Sequence, residues 1–395
     1  MTNTTNKKSR IQELAFFSYG FRPFFLSAAV FAGVALPIWA MILSGTENTA
    51  FLYVPREWHV HEMVFGFLPA VVAGFLFTAM PNWTDRPPIM GLPLMCLWML
   101  WLAGRLVIAI PWPPPVVCAI IDGSFLVALA IIAWREIAIG KAWDRSPIGV
   151  LISLYAIANL LFHVSALNDS ATDLPERMGL LAIIMLLTLI GGRVIPSFTL
   201  DYLSGRGMPQ QPPSFSRVDG ASILLAAIAA IAWTIQPHAL VTGWLLVVAG
   251  LMNLIRLFRW YGWMTWREPL AFILHVGYGW LAMSLLFLGA AILDFGLRQE
   301  DAVHALTTGA VGSMTLAIMT RVSLGHTGRP RHAGLMTVVI YSLVNLGAIL
   351  RVFWPATDLS TSLVLGLSAI VWSSGYLLFA VVYGPYLLSP SLDEE

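Results

Sequence analysis

The chain has 395 residues, of which 58% are apolar and only 11% are charged, with a formal net charge of +1. A soluble domain carries about 25% charged residues, so this chain has too little charge to cover a surface that faces water. The composition excludes an ordinary soluble domain, gives no sign of a nucleic-acid partner, and indicates an integral membrane protein.

A polar segment at residues 1–23 comes first and has no cleavable signal pattern, so we expect the first apolar run to act as the insertion signal. Twelve apolar runs follow, each near the ~20 residues that a membrane-spanning helix needs. An acidic tail at 387–395 ends the chain. The sequence therefore predicts an all-α polytopic domain at 24–386 that crosses the lipid bilayer twelve times. The predicted spans are 24–44, 59–80, 89–110, 114–134, 147–167, 177–198, 218–236, 239–258, 269–293, 302–324, 334–353 and 361–384.

The Lys and Arg residues are distributed unevenly between the two sides of these spans. If the N-terminus is cytoplasmic, most of the 22 basic residues lie on the inner side. Because cytoplasmic ends are enriched in Lys and Arg, we expect both termini to be cytoplasmic. The basic residues left on the outer side are Arg56, Arg105, Arg177, Arg298 and Arg351.

A weaker pattern is internal repetition. Helices one, five and nine begin with "RP", "RSP" and "REP", and helices two, six and ten end with "PNWT", "PSFT" and "LGHT". These similarities favour three four-helix units at about 22–135, 145–260 and 267–385, arranged around a pseudo-threefold axis if they pack alike. The alternative is chance similarity among apolar helices.

The histidines are the clearest candidates for a functional site. His59, His61, His163 and His304 come from three helices but lie at one depth, at the outer face. A lone His at a helix end is more often an interface or capping residue than a ligand. Four in one layer, beside Glu62, indicate a metal or haem site instead, because polar groups inside a membrane are costly.

His59 and His61 point about 200° apart on a regular helix and cannot face one centre. Either the helix begins after His59, or the two residues serve two adjacent centres. Neutral imidazole suits copper and haem iron. Trp58, Arg56 and Arg105 are candidates to contact haem propionates, although Trp and Arg are also common at membrane interfaces.

Three further residues complete the candidate set. Asp122 is predicted near mid-membrane on helix four, without a partner evident from sequence, where a carboxyl facing a cavity could relay protons. His275 lies about two turns into helix nine from the inner side, and His326 lies at the inner end of helix ten. Both are kept as possible metal ligands.

Four motifs resemble those of the NnrS family: "GFRPFF" at 20–25, "WHVHEMVFGF" at 58–67, "GGRVIPSFT" at 191–199 and "HALTTGAVGSMTLAIMTRVSLGHTGRP" at 304–330. The resemblance covers nearly the whole chain. It implies a twelve-span protein of the bacterial inner membrane that contains haem b and copper and is linked to nitric oxide, denitrification and nitrosative stress.

A looser similarity relates the chain to haem–copper oxidases and nitric oxide reductases. These proteins use twelve helices in three four-helix arcs and hold a haem between histidines of helices two and ten. His304 with His61 or His59 fits that placement. Helices six and seven of this chain contain no histidine, so the usual copper ligands are missing, and His163, His275 and the second histidine of helix two would have to replace them.

The first hypothesis is an enzyme that reduces nitric oxide to N₂O, with Glu62 and Asp122 as candidate proton carriers. The chain has no CxxCH motif, so the electrons would come from quinol or another separate donor. One alternative is a non-catalytic haem protein for nitric-oxide sensing or protection. The other is a polytopic transporter, which helices broken at mid-membrane would favour.

Overall fold

The computed structural model describes residues 14–45, 51–110, 112–356 and 360–392, and within these ranges the chain is helical with no strand. Most of the predicted polar N-terminal segment and the end of the acidic tail lie outside the described residues. Twelve helices in the described part are long and apolar enough to cross a membrane, which confirms the predicted fold class. They are α1 (Phe21–Leu43), α2 (Pro55–Thr84), α3 (Leu92–Ala109), α4 (Pro115–Ile139), α5 (Trp143–Leu167), α6 (Asp173–Gly205), α7 (Arg217–Ile235), α8 (Leu240–Phe258), α9 (Pro269–Ile292), α10 (Gln299–Gly325), α11 (Leu335–Ala356) and α12 (Thr361–Leu388).

Polar and proline residues define where the helices begin. Proline occupies the first turn of α2, α4 and α9, where its missing N–H costs no hydrogen bond. Ser216 and Asp219 form a capping box at the start of α7. Several helices extend beyond the predicted apolar runs, because polar residues continue the backbone hydrogen bonds past the apolar stretch. Thus α2 begins at Pro55 rather than 59, and α6 ends at Gly205 rather than 198.

Helices α2 and α10 lie at the centre of the bundle. In the most apolar 18-residue stretch of each helix, 78% of the α2 residues and 72% of the α10 residues are buried, compared with only 28% of the α3 residues. The more peripheral helices pack mainly against their neighbours in sequence, and α12 closes the bundle by packing on both α11 and α1. Residues carried on α2 and α10 are therefore held by protein rather than by lipid.

The two ends of the bundle differ in composition. We call the end at which α2 and α10 begin the histidine end, because it carries His59, His163 and His304. We call the opposite end the arginine end. Both the first and the last described residues lie at the arginine end, where the Leu392 N–H donates to the Thr327 carbonyl at 3.2 Å.

The same backbone irregularity interrupts α2 and α10. A π-helical segment at Glu62–Phe67 follows His61 directly, and another at Ala305–Val311 follows His304 directly. Such segments add a residue to a turn and are frequent at functional sites. This correspondence relates two helices only, so the pseudo-threefold repeat of four-helix units stays a prediction.

Candidate functional site

The histidine end contains a cluster of ionisable side chains that is sealed from solvent. It consists of His61 and Glu62 on α2, Arg105 on α3, Asp122 on α4 and His163 on α5, and we call it the buried cluster. Each of these residues is at most 5% exposed. Burying so many charged groups is stable only if they pair with one another, so the hydrogen bonds within the cluster decide its chemistry.

Asp122 is the centre of the buried cluster. Its Oδ2 accepts hydrogen bonds from His163 Nε2 at 2.9 Å and from the Asn159 side-chain amide at 3.1 Å. His61 Nε2 lies 3.2 Å from the same oxygen, and Arg105 pairs with Oδ1. The sequence predicts Asp122 near mid-membrane and reveals no partner for it, whereas the structure shows several. Asp122 lies about two turns from the start of α4, and its partners come from three other helices, which sequence distance conceals.

Arg105 joins the two carboxylates of the buried cluster. Its guanidinium donates to Glu62 Oε1 at 2.6 Å and also pairs with Asp122. This close approach depends on Gly66 in the π-helical segment of α2, since a Cβ at that position would overlap the Arg105 guanidinium. Both terminal nitrogens of Arg105 pair with carboxylates of the buried cluster, and Arg105 does not line the histidine cavity described below, so its predicted contact with a haem propionate has no support in this geometry.

The protonation of His61 follows from its neighbours. Its Nδ1 lies 3.0 Å from Glu62 Oε1, and its Nε2 faces Asp122. Carboxylates that pair with Arg105 only accept hydrogen bonds, so both ring nitrogens of His61 donate in this arrangement. Two positive and two negative side chains then balance within the buried cluster.

Three atoms of the buried cluster converge in a way that suits a metal ion. One ligand atom each from His61, Asp122 and His163 lies within 4.8 Å of the others, and all three residues are buried. Two imidazoles and a carboxylate are ligands that divalent transition metals accept. An ion would replace the protons on the two Nε2 atoms, and the Nδ1–H of His61 would still donate to Glu62, as is usual behind a metal-bound histidine.

Tyr53 is a member of the site that the sequence did not reveal. Its hydroxyl donates to His163 Nδ1, which leaves His163 Nε2 directed at Asp122. Burial, together with the negative charges of Asp122 and Glu62, raises the pKa of Tyr53, so the phenol keeps its proton. Tyr53 lies in the connection before α2, where neither helical periodicity nor a motif indicates a function.

A separate cavity opens between α2 and α10 at the same end of the bundle, and we call it the histidine cavity. Its volume is about 460 Å³, and His59 and His304 both line it. The His59 ring stacks on Trp39 with centroids 4.7 Å apart. His304 Nδ1 lies 2.6 Å from the Glu300 carbonyl and 3.0 Å from Arg351 Nη2, so Nδ1 is occupied by these contacts and Nε2 is the nitrogen that remains to bind a metal.

Four arginines line the histidine cavity. Arg56 pairs with Glu176 at 3.0 Å, and Arg351 pairs with Asp301 at 2.7 Å. Trp58, in contrast, is buried against Phe51 and does not line the cavity. Of the three side chains predicted to contact propionates, only Arg56 therefore reaches the cavity. The four cavity arginines are Arg56, Arg177, Arg298 and Arg351.

The structure distinguishes between the two alternatives for His59 and His61, a helix that starts after His59 or two adjacent centres. Helix α2 begins at Pro55, so the alternative in which the helix starts after His59 is wrong. His59 faces the histidine cavity and His61 faces the buried cluster. The structure thus brings His59, and not His61, to the same cavity as His304.

The remaining candidate histidines lie elsewhere. His275 is near the start of α9 at the arginine end, where its Nε2 lies 3.2 Å from the Thr199 hydroxyl and its Nδ1 lies 3.1 Å from the Ala271 carbonyl. His326 follows α10 at the same end, next to Phe21. Since His163 is at the histidine end, no single metal centre can contain both His163 and His275.

Comparison with known proteins agrees with the motifs. The protein-family model described as NnrS protein matches residues 15–391, which is nearly the whole chain. No match was found among the curated proteins. The match includes both the buried cluster and the histidine cavity, and it links this multi-pass membrane protein to nitric oxide. The chain belongs to the NnrS family.

Proposed function

We propose that this chain is a haem- and copper-dependent membrane protein of nitric-oxide detoxification that reduces nitric oxide to N₂O. The overall reaction is 2 NO + 2 e⁻ + 2 H⁺ → N₂O + H₂O. The observation that carries the proposal is that two histidines of α2 face two different sites. His59 lines an open cavity, and His61 belongs to a cluster whose ligand atoms could bind a metal ion. Family membership supports the link to nitric oxide.

The histidine cavity is the proposed haem site. Its volume falls within the about 300–1,000 Å³ that is typical of ligand pockets. His304 would hold the haem iron through Nε2, because Nδ1 is occupied by the Glu300 carbonyl and Arg351, and His59 is the candidate on the facing helix. Cationic side chains at the same cavity suit the propionates of haem b. Bound there, the haem would supply an iron that binds nitric oxide.

The buried cluster is the proposed copper site, with His61, His163 and Asp122 as ligands. Glu62 and Tyr53 are positioning residues, because each hydrogen-bonds the ring nitrogen that faces away from the proposed ion. Glu62 Oε1 also lies 3.0 Å from His61 Nδ1, where it can accept the proton of that nitrogen. Asp122, first expected to relay protons, is better placed as a ligand because its Oδ2 is the point on which the imidazoles converge.

The electrons have to come from outside the chain. Its two cysteines, Cys96 and Cys118, are too far apart in sequence to form a CxxCH haem-attachment motif. We propose quinol or another separate donor, reached from within the cytoplasmic (inner) membrane of a bacterium. The arginine end would face the cytoplasm, following the bias of Lys and Arg to that side.

A non-catalytic haem protein for nitric-oxide sensing or protection is the second candidate. It is favoured by the balanced charges of the buried cluster, in which Arg105 already satisfies both carboxylates. In that case the cluster would be structural, and only the histidine cavity would hold a cofactor.

The experiment that tests the proposal is the dithionite-reduced minus oxidised optical spectrum of the purified protein, repeated with CO and combined with metal analysis. A haem signal that shifts with CO, one copper per chain and N₂O formation from nitric oxide would support the enzyme. Haem without copper and without N₂O would favour the sensor. A protein without haem would overturn both.

A further inference from the structure

A second large cavity lies at the arginine end, remote from both sites described above. Its volume is about 740 Å³, and it lies among α2, α5, α6 and α10. We call it the arginine cavity, because Arg145, Arg193, Arg321 and Arg331 all line it. Asp144 is the one carboxylate among its described lining residues. The cavity therefore concentrates positive charge.

Only one of these arginines has its charge matched nearby. Arg145 pairs with Asp144, with Nε 2.9 Å from Oδ2. Among the described residues, no carboxylate lies within ion-pair distance of Arg193, Arg321 or Arg331. This differs from the histidine end, where Arg56, Arg105 and Arg351 each contact a carboxylate.

Arg321 is held in a position suited to an incoming anion. Its guanidinium stacks on the Phe198 ring, 3.6 Å from the centroid. Stacking fixes the plane of the guanidinium and leaves its N–H groups directed outward in that plane. The carboxylates of Asp201 and Glu268 act on Arg321 only from beyond ion-pair distance.

The positive charges also crowd one another. Arg321 and Arg331 line the same cavity, and burial together with the Arg331 charge lowers the pKa of His326, which also lines it. Like charges so placed repel, and the repulsion is relieved when an anion binds between them. Three unmatched guanidinium groups at one cavity match the several acceptor oxygens of a phosphate group better than a single carboxylate.

Much of the rest of the cavity wall is apolar, although Thr78, Asn82 and Ser197 also line it. Phe75, Leu189, Ile190 and Val322 line it together with the arginines. This combination suits a phosphate group that is attached to an apolar portion, as in a lipid. A free phosphate would use the arginines alone.

We propose that the arginine cavity is a binding site for a phosphate-bearing anion, supplied either by the headgroup of an anionic lipid or by free phosphate. The site is independent of the proposed haem and copper chemistry, because none of the arginines that line it belongs to the buried cluster or to the histidine cavity.

The test uses the full-length protein in neutral phosphatidylcholine nanodiscs. The probes are phosphatidylglycerol added to the lipid mixture and inorganic phosphate added to the buffer, with binding measured by native mass spectrometry and by the shift in melting temperature. The informative variant is Arg193→Gln with Arg321→Gln. The matched control is Arg206→Gln with Arg217→Gln, which removes the same charge at the same end from positions that do not line the cavity.

We expect the parent and the control to bind the anion with similar affinity, and the cavity variant to bind roughly tenfold or more weakly. Binding of phosphatidylglycerol that phosphate does not displace identifies a lipid; displacement by millimolar phosphate identifies a free anion. The proposal is overturned if the parent binds neither probe, or if the cavity variant and the control weaken equally. Should the double variant not fold, Arg331→Gln, outside the helices, replaces it in the same comparison.

Discussion

His59 and His61 show what a single helix can and cannot reveal at the level of residues. Helical geometry predicts from the sequence that the two rings point apart, and the structure places them in different surroundings. Helical geometry alone does not reveal which other helices face each ring. Besides Glu62 on α2, His61 contacts Asp122 on α4 and Asn159 on α5, and no periodicity within α2 indicates these two partners.

His304→Ala tests the proposed haem site. We expect loss of haem with normal membrane insertion, because the change removes a nitrogen that would bind the haem iron and leaves the hydrophobic surface of α10 intact. The pyridine haemochrome spectrum of purified protein measures the haem content. His332→Ala is the matched control, since His332 is exposed in the connection after α10. Full haem content in His304→Ala would refute the assignment of His304 as a ligand.

Asp122→Asn tests the buried cluster. The substitution leaves Arg105 with one carboxylate in a site sealed from water, and breaking a buried pair costs about 3–5 kcal/mol. We therefore expect a lower melting temperature and a loss of copper, the latter measured by mass spectrometry of digested protein. Asp201→Asn, at an exposed position, is the control. Unchanged copper content and melting temperature would contradict the assignment of Asp122 as a ligand.

At the scale of elements, the apolar runs predicted the number and order of the helices but not their irregular turns. The π-helical segments of α2 and α10 lie within continuous apolar stretches, so hydropathy alone does not distinguish them from regular helix. Their position immediately after His61 and His304 depends on contacts between helices. At Gly66 the absence of a side chain allows Arg105 to approach α2, so a substitution there tests this contact between helices directly.

Gly66→Ala should disturb the buried cluster without removing any of its members. The new methyl group would overlap the Arg105 guanidinium, so we expect reduced copper content and a lower melting temperature. Gly220→Ala is the control, because a Cβ there meets nothing within 4 Å and Ala is favoured over Gly in a helix by roughly 0.5–1 kcal/mol. Equal copper content and stability in the two variants would show that the close approach at Gly66 is not required.

For the molecule as a whole, the twelve spans place the first and the last described residues on one side, and the orientation in the membrane is a prediction from Lys and Arg. Cysteine labelling in intact cells tests it, in a background of Cys96→Ser and Cys118→Ala. Ser170→Cys at the histidine end should react with a membrane-impermeant maleimide. Ser214→Cys at the arginine end should react only after the cells are opened. The reverse pattern would invert the proposed orientation.

The contrast in accessibility between the two candidate sites has a consequence for biogenesis. His61 is 0% exposed and Asp122 is 3% exposed, so a finished bundle offers an ion no route to them without separating α2, α4 and α5. The histidine cavity, in contrast, is open at the end of the bundle. An ion destined for the buried cluster would have to be delivered while the helices assemble, whereas a haem could be inserted afterwards. Copper starvation imposed after synthesis should then leave existing molecules loaded, and only newly made chains would lack the metal.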